Sequence, residues 1–143
     1  MLSYAATIAE NTDKSEGGFL VSFTDLPNIL TFGATLEEAK YMAEDALNSC
    51  LEVDFERGQD IPLPTNIKGL NVYLIPVQPH ISLSIYLRQL RAERSQIEVA
   101  KKLGMSYQNY QRLENPRKAN PTIKTLEKIA GAYGKRVEIT FSP

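Results

Sequence analysis

Two helix signals in the C-terminal half lie unusually close together. Ser95, followed three residues later by a glutamate, has the spacing of a capping box and predicts a helix over Gln96–Leu103. Gly104 then supplies the left-handed residue with which many helices end. Ser106 predicts the cap of a second helix over Tyr107–Leu113. The tight spacing is that of a helix-turn-helix, and an ordinary helical hairpin is the alternative.

The apolar residues of this segment fit the interior of a helix-turn-helix. The predicted inward positions are Val99, Ala100, Leu103, Met105, Tyr110 and Leu113. Ala100 is small, as a close crossing of two helices requires. Tyr110 is large where this motif usually has isoleucine or valine. We therefore predict that Tyr110 is buried and that it shifts the second helix slightly.

A third helix follows this pair. Thr122, after Asn-Pro, can cap a helix over Ile123–Tyr133. From 95 to 133 the sequence resembles the Xre/Cro-type repressor domain, including the Leu-Glu-Asn at 113–115. Pro116 departs from that family, which usually has glycine there. Because proline lacks a backbone N–H, it offers no phosphate contact at this position.

The resemblance implies roles for the exposed side chains of the second helix and its surroundings. The N-terminal residues of a recognition helix meet base edges in the major groove. The predicted base-contacting residues are Ser106, Tyr107, Gln108 and Arg112. Gln108 suits adenine and Arg112 suits guanine. The predicted phosphate-contacting residues are Gln96, Asn115, Arg117 and Lys118. For each exposed lysine or arginine, plain solvation is the alternative.

Charge is distributed very unevenly along the chain. Residues 1–79 contain four lysines and arginines against twelve acids, a net charge of −8. Residues 80–143 contain twelve against five, a net charge of +7. This asymmetry predicts two domains with different partners, 1–78 and 79–143, of which the second is basic enough for nucleic acid. Chance distribution is the alternative.

The first domain has the pattern of three strands, a helix and a fourth strand. Short apolar runs bounded by turn signals predict strands at 2–9, 19–23, 29–32 and 70–77. Thr35, with a glutamate three residues later, predicts the start of the helix. The apolar stripe of this helix is Leu36, Ala39, Ala43, Ala46, Leu47 and Cys50. The fold class is therefore α+β, with a small βββαβ sheet domain followed by an all-α domain.

A second resemblance covers about residues 2–78. A Gly-aromatic strand, an Asp-Leu-Pro turn, Gly-x-Thr and a Glu-Glu-Ala helix start resemble the signature of HicB-type antitoxins. The matching residues are Gly18, Phe19, Asp25, Leu26, Pro27, Gly33, Thr35, Glu38 and Ala39. Thr24 and Asn28 depart from the pattern, in a turn that asparagine can make. The resemblance implies a partial ribonuclease-H-like fold that is a binding module and not a nuclease.

Together the two resemblances imply an antitoxin that binds a HicA-type toxin, an mRNA-cleaving ribonuclease, and represses its own operon by binding operator DNA. An acidic inhibitor suits a basic toxin because complementary potentials speed association. The residues proposed as toxin contacts are guesses: Asp13, Glu16, Asp25 and Asn28. The alternative is a one-component transcriptional regulator with a small-molecule-sensing N-terminal domain.

The C-terminus predicts self-association. Residues 136–141 alternate apolar and polar residues, which is the pattern of a short amphipathic strand. A lone strand after a helical domain needs a partner. We therefore expect Val137, Ile139 and Phe141 to pair with another subunit in a homodimer or tetramer.

The sequence does not point to catalysis. A two-metal nuclease needs several carboxylates that converge on one place, and the acids of the first half lie in a loop and along a helix face. Cys50 is predicted to be a buried small hydrophobe, and His80 a spacer in a linker. We expect no enzyme activity, no cofactor and no metal. With neither a signal peptide nor a membrane-length apolar run, we expect a cytoplasmic protein.

Overall fold

The computed structural model describes residues 2–13 and 17–143, and it divides into two compact units, 1–82 and 83–143. The strands are β1 (Ser3–Glu10), β2 (Phe19–Phe23), β3 (Leu30–Gly33) and β4 (Val72–Pro76). The helices are α1 (Leu36–Glu56), α2 (Pro79–Arg91), α3 (Gln96–Leu103), α4 (Tyr107–Leu113) and α5 (Ile123–Ala132). The predicted α+β class is confirmed. The boundary between functional domains after residue 78 stays a prediction.

The first unit is an antiparallel sheet in the order β3-β2-β1-β4, with α1 across one face. β1 is a central strand, and its Ile8 lies opposite Val21 on β2 while its Tyr4 lies opposite Ile75 on β4. All four side chains are buried. Because the last strand pairs with the first, apolar neighbours flank β1 on both sides. The predicted βββαβ order is confirmed.

The start of α1 is fixed by a cap and by a glycine. The Thr35 hydroxyl accepts a hydrogen bond from the Glu38 N–H at 3.1 Å, and the Glu38 carboxylate accepts one from the Ala34 N–H at 3.3 Å. This is the reciprocal arrangement that the sequence predicted. A Cβ on Gly33, the last residue of β3, would lie 2.2 Å from the Ala39 nitrogen. The first turn of α1 can therefore approach β3 this closely only over glycine.

The buried face of α1 differs from the predicted stripe. Its buried residues are Ala39, Ala43, Leu47, Asn48, Leu51 and Phe55. Ala46 and Cys50 are only half-buried, so the prediction of a buried thiol at Cys50 is wrong. The buried residues advance mainly in steps of four, which places Cys50 at the edge of the packed face. Partial burial and the nearby Asp54 raise the pKa of the Cys50 thiol.

Asn48 is a polar side chain within the buried face of α1. Its amide nitrogen donates to the carbonyl oxygens of Glu44, at 2.9 Å, and Pro76, at 3.2 Å. Its amide oxygen accepts from the Gln78 N–H at 2.8 Å. These bonds satisfy a buried amide and connect the middle of α1 to the end of β4.

The second unit packs its helices around one apolar cluster. The buried members of this cluster are Leu87, Val99, Ala100, Leu103, Tyr110, Leu113 and Ile129. α5 is capped by Thr122, whose hydroxyl accepts from the Thr125 N–H at 3.2 Å. Residues 135–143 form neither helix nor strand in this single chain. The strand predicted over 136–141 is absent because a strand requires a hydrogen-bonded neighbour, which the isolated chain does not offer.

Candidate nucleic-acid interface

The two helices of the turn are each capped by a serine, as predicted. The hydroxyls of Ser95 and Ser106 accept from the N–H three residues on, at 3.1 and 3.2 Å. Between the helices, Gly104 has a left-handed φ of 66°, and the Met105 N–H donates to the Ala100 carbonyl at 2.9 Å. Helices of eight and seven residues are not stable alone. The caps and the buried cluster therefore hold them.

Tyr110 is fully inside the second unit. The predicted inward residues are confirmed: Val99, Ala100, Leu103, Tyr110 and Leu113 are buried, and Met105 packs against them. Tyr110 and Leu113 lie three residues apart on α4 and therefore share its buried side. The rest of α4 is exposed. The slight shift of α4 that we predicted from the size of Tyr110 stays a prediction.

An ion pair that the sequence analysis did not include lies at the C-terminal end of α4. Arg91 Nε donates to Glu114 Oε2 at 2.8 Å, and Arg91 Nη2 donates to Glu114 Oε1 at 3.0 Å. Arg91 Nη1 also donates to the Arg94 carbonyl at 2.8 Å. The Glu114 side chain is only 3% exposed. This two-pronged pair fixes the residue after α4 to the last turn of α2.

The phenol of Tyr110 lies close to the ion pair of Arg91 and Glu114. Burial, reinforced by Glu114, raises the pKa of Tyr110 well above its usual value. The side chain therefore stays neutral in the folded protein at any ordinary pH. Since Glu114 belongs to the Leu-Glu-Asn segment of the repressor resemblance, its place in the structure gives this segment a packing role.

The predicted base-contacting side chains share the exposed surface at the start and outer face of α4. All four are exposed: Ser106, Tyr107, Gln108 and Arg112. Gln108 and Arg112 are four residues apart, so they project from the same side of the helix. Gln111 is also exposed and lies four residues after Tyr107. The sequence analysis did not include Gln111, although helical periodicity alone places it beside Tyr107.

The predicted phosphate-contacting residues are divided by burial. Arg117 and Lys118 are exposed, whereas Gln96 and Asn115 are half-buried. Asn115 Oδ1 accepts from the Arg117 N–H at 3.1 Å, and its carbonyl accepts from the Lys118 N–H at 3.0 Å. Asn115 therefore shapes the turn that presents these two cations. Pro116 is buried in this turn, so the residue that departs from the repressor pattern contributes packing.

The three guessed toxin contacts that the structure describes, Asp13, Asp25 and Asn28, do not form one cluster. Asp13 precedes β2 and Asp25 follows it, so they lie at opposite ends of that strand. Asp13 and Asn28 are exposed, and Glu16 lies outside the described residues. The Asp25 carboxylate accepts from the Thr65 N–H at 2.9 Å and from its hydroxyl at 2.8 Å. Asp25 thus holds the connection before β4, beside a cavity of about 380 Å³ that both polar and apolar residues line.

The second unit has an apolar groove beside its C-terminal segment. The groove has a volume of about 460 Å³, and its apolar lining includes Leu83, Tyr86, Leu90, Leu126 and Val137. Val137 is half-buried here, whereas Ile139 and Phe141 are exposed. Of the three residues predicted to mediate self-association, two are therefore available to a partner.

The structure corrects the assignment of His80. It lies in the first turn of α2 and not in a linker, and its Nε2 is 3.0 Å from the Glu52 carboxylate.

Within the described ranges, no group of three or more histidine, cysteine, aspartate or glutamate side chains is arranged to hold a metal. No helix in the described part of the chain is both long enough and apolar enough to cross a bilayer.

The capped pair α3–α4, with an exposed outer face on the second helix, defines a helix-turn-helix DNA-binding protein that carries a second, sheet-based unit. Comparison with known families supports this description for both the sheet-based unit and the helix-turn-helix unit. Residues 3–79 match the family of HicB-like antitoxins of bacterial toxin–antitoxin systems, and residues 86–139 match a helix-turn-helix family. The chain belongs to the HicB family of antitoxins.

Curated relatives match across nearly the whole chain. The chain is 35% identical over 126 residues to antitoxin HicB 1 of Photorhabdus laumondii, which covers 88% of this chain and 80% of that protein. It is 33% identical over 131 residues to antitoxin HicB of Escherichia coli K12, which covers 91% and 94%. These alignments are too long to be confined to either unit, so the similarity extends to both.

Proposed function

We propose that this chain binds and neutralises a HicA-type, mRNA-cleaving toxin and represses its own operon. One observation carries the proposal: an acidic HicB-type unit and a basic helix-turn-helix unit occur in one chain, with net charges of −8 for residues 1–79 and +7 for residues 80–143. A toxin that acts on RNA needs a basic surface, and opposite charge speeds its capture. The DNA-binding unit meets its own polyanionic partner in the same way.

Co-expression with the product of the neighbouring reading frame tests toxin neutralisation. We expect that product to be a short basic protein that arrests growth when it is produced alone. The chain should co-purify with it and restore growth. A chain that neither binds this protein nor restores growth would contradict the proposal.

Operator binding is tested by two variants with different expected readouts. Arg112→Ala should relax specificity at one base pair, with a loss of about 1–3 kcal/mol at that position. Lys118→Ala should weaken binding to all sequences alike, because a phosphate contact carries no sequence information. Affinity is measured on operator duplexes in which each base pair is changed in turn. Equal loss of specificity in both variants would contradict these roles.

We place the contact between subunits at Val137, Ile139 and Phe141. The exposed apolar side chains of this segment and the adjacent apolar groove support a dimer or tetramer of this chain. Removing residues 135–143 should reduce the molar mass measured by light scattering. An unchanged oligomer would defeat this part of the proposal.

We infer that the chain acts by binding alone, without catalysis or a cofactor, in the cytoplasm, where both mRNA and operator DNA are found. Family membership and the match of residues 3–79 to HicB-like antitoxins support this inference. Asp13, Glu16, Asp25 and Asn28 remain the residues proposed from sequence for toxin contact. Nuclease assays of the purified chain with added Mg²⁺ or Mn²⁺ test the absence of catalysis, and cleavage above a metal-free control would contradict it.

A further inference from the structure

The two faces of the sheet in the first unit have different surroundings. One face packs against α1: the Tyr73 ring on β4 lies 4.5 Å from Lys40 Nζ on α1, and Val21 on β2 is buried. Successive residues of a strand point to opposite faces of the sheet. The residues that alternate with Val21 on β2 and with Tyr73 on β4 therefore lie on the outer face. An antiparallel sheet with one solvated face normally has polar residues at such positions.

Three of the four outward positions on β2 and β3 are apolar instead, and the fourth is Ser22, which lies opposite Leu30. Leu20 is 51% exposed, Leu30 is 73% exposed and Phe32 is 41% exposed. Leu20 and Phe32 are directly opposite each other across the two strands, and Leu30 lies two residues before Phe32 on the same strand. These three side chains therefore form one continuous surface, the β2–β3 patch. Exposed apolar surface of this kind marks an interaction site more often than an accident of composition.

The patch is also held in shape. Gly18 has a left-handed φ of +78°, and a Cβ on it would lie 2.5 Å from Cε2 and Cζ of Phe32. The Phe32 ring thus lies directly over the Gly18 backbone, which limits its freedom before any partner binds. An aromatic side chain that is already positioned loses less conformational entropy on binding.

We propose that the β2–β3 patch is the surface on which the basic toxin docks. This proposal rests on the proposed function above and adds the surface to it. None of the guessed contacts Asp13, Glu16, Asp25 and Asn28 belongs to the patch. Asp13, however, is exposed and its carbonyl accepts from the Gly17 N–H at 3.3 Å, next to the glycine under Phe32. Asp13 therefore lies in the loop that precedes this end of the patch.

Charge identifies the occupant as a basic protein and argues against a second copy of this unit. Among the strand residues that the structure describes, the outward positions carry no charge. The surrounding residues 1–79, however, have a net charge of −8. Two such units would repel each other as they approached, whereas a basic protein with an apolar centre would be attracted. The patch then supplies the apolar contact, and the acidic surroundings guide the encounter.

The test replaces apolar side chains without disturbing the strands. Threonine favours strands and removes apolar surface, so Leu30→Thr and the double variant with Phe32→Thr are suitable. Leu70→Thr is the matched control, because Leu70 is 90% exposed and lies outside the strands. Binding of the purified product of the neighbouring reading frame is measured for each full-length variant, and circular dichroism melting confirms folding.

We expect the double variant to bind about tenfold more weakly or worse, since a few central residues dominate most interfaces. Leu30→Thr alone should show a smaller loss, and Leu70→Thr should match the wild type. Undiminished binding by folded patch variants would overturn the patch and leave the proposed function intact. A wild-type chain that binds no toxin would overturn both. Light scattering without the toxin compares the Leu30→Thr variant with the wild type. A lower molar mass of the variant would show that the patch joins two copies of this chain, which also overturns the proposal.

Discussion

At the scale of single residues, the missing side chain of Gly33 sets the distance between helix and sheet. The atoms that a Cβ would meet are the Ala39 nitrogen at 2.2 Å and its Cα at 2.5 Å. Both belong to backbone inside the first turn of α1, so neither can rotate away as a side chain would. Relief requires the helix to move off β3, which opens the core beneath it.

We expect Gly33→Ala to lower the free energy of unfolding by about 3 kcal/mol, the upper part of the range for overpacking. The measurement is urea unfolding followed by circular dichroism. Gly131→Ala in α5 is the control, because its added Cβ meets nothing within 4 Å. That change should raise the stability of the second unit by about 0.5–1 kcal/mol, since alanine favours helix. Wild-type stability of Gly33→Ala would contradict the steric argument.

Tyr4 makes the first unit sensitive to alkali. Its side chain is buried, and its hydroxyl donates to the Pro62 carbonyl at 2.7 Å. Burial, together with the charge of Asp25, raises the pKa of Tyr4 to about 12 from 10.0. In the unfolded chain the phenol ionises near its ordinary value, whereas in the folded chain it stays neutral. The contribution to stability is therefore complete below pH 10 and is lost between pH 10 and about 12.

We expect Tyr4→Phe to flatten this alkaline loss of stability, because phenylalanine has no proton to release. The urea midpoint of the first unit is followed from pH 10 to about 12 for both proteins. Below pH 10 the variant should be less stable, since it lacks the hydrogen bond to Pro62. If the two midpoints fell equally steeply with pH, Tyr4 would not be the group responsible.

At the scale of elements, α4 depends on one hydroxyl at its start. Ser106 accepts from the Asn109 N–H at 3.2 Å, and the helix has only seven residues. Loss of a serine cap costs about 1 kcal/mol, which is large for so short an element. The same residue is proposed to contact DNA, so its two roles need separate readouts.

We expect Ser106→Ala to lower the stability of the second unit by about 1 kcal/mol and Ser106→Asp to leave it nearly unchanged, because aspartate also caps helices. Thermal melting measures this effect. Operator affinity should fall in both variants, and more in Ser106→Asp, because its added negative charge is repelled by the polyanionic DNA. Unchanged operator affinity in Ser106→Asp would remove Ser106 from the interface.

Elements were predictable from sequence where their signals are local. The caps at Thr35, Ser95, Ser106 and Thr122 each depend on residues three apart, and all four form as predicted. The ion pair between Arg91 and Glu114 joins residues that only the tertiary fold brings together. The outward position of Leu20 was not recognised because Phe19–Phe23 is apolar at nearly every position. Without alternation, a strand does not reveal which side is buried.

At the scale of the whole molecule, the net charge of −1 is the sum of −8 in residues 1–79 and +7 in residues 80–143. Removing one positive charge therefore has different consequences for DNA binding in the two halves. Lys68 and Lys118 are both exposed, but only Lys118 lies in the unit with the helix-turn-helix. These two lysines are a matched pair for testing which half meets DNA.

We expect Lys118→Gln to reduce the slope of log affinity against log salt by about 1, because one fewer counterion is released from DNA. Lys68→Gln should leave the slope at its wild-type value. The measurement is operator binding at several salt concentrations by fluorescence anisotropy. Equal slopes for all three proteins would show that Lys118 does not contact the backbone of DNA.

The division of α4 into two sides has a consequence for how new DNA specificities arise. Tyr110 and Leu113 hold the helix, while Tyr107, Gln108 and Arg112 take no part in the core. Substitutions at the outer positions should therefore alter the preferred operator with little effect on folding. Duplicated copies of such a gene could diverge into regulators that ignore each other's operators, and the same positions are the natural ones to randomise in an engineered repressor.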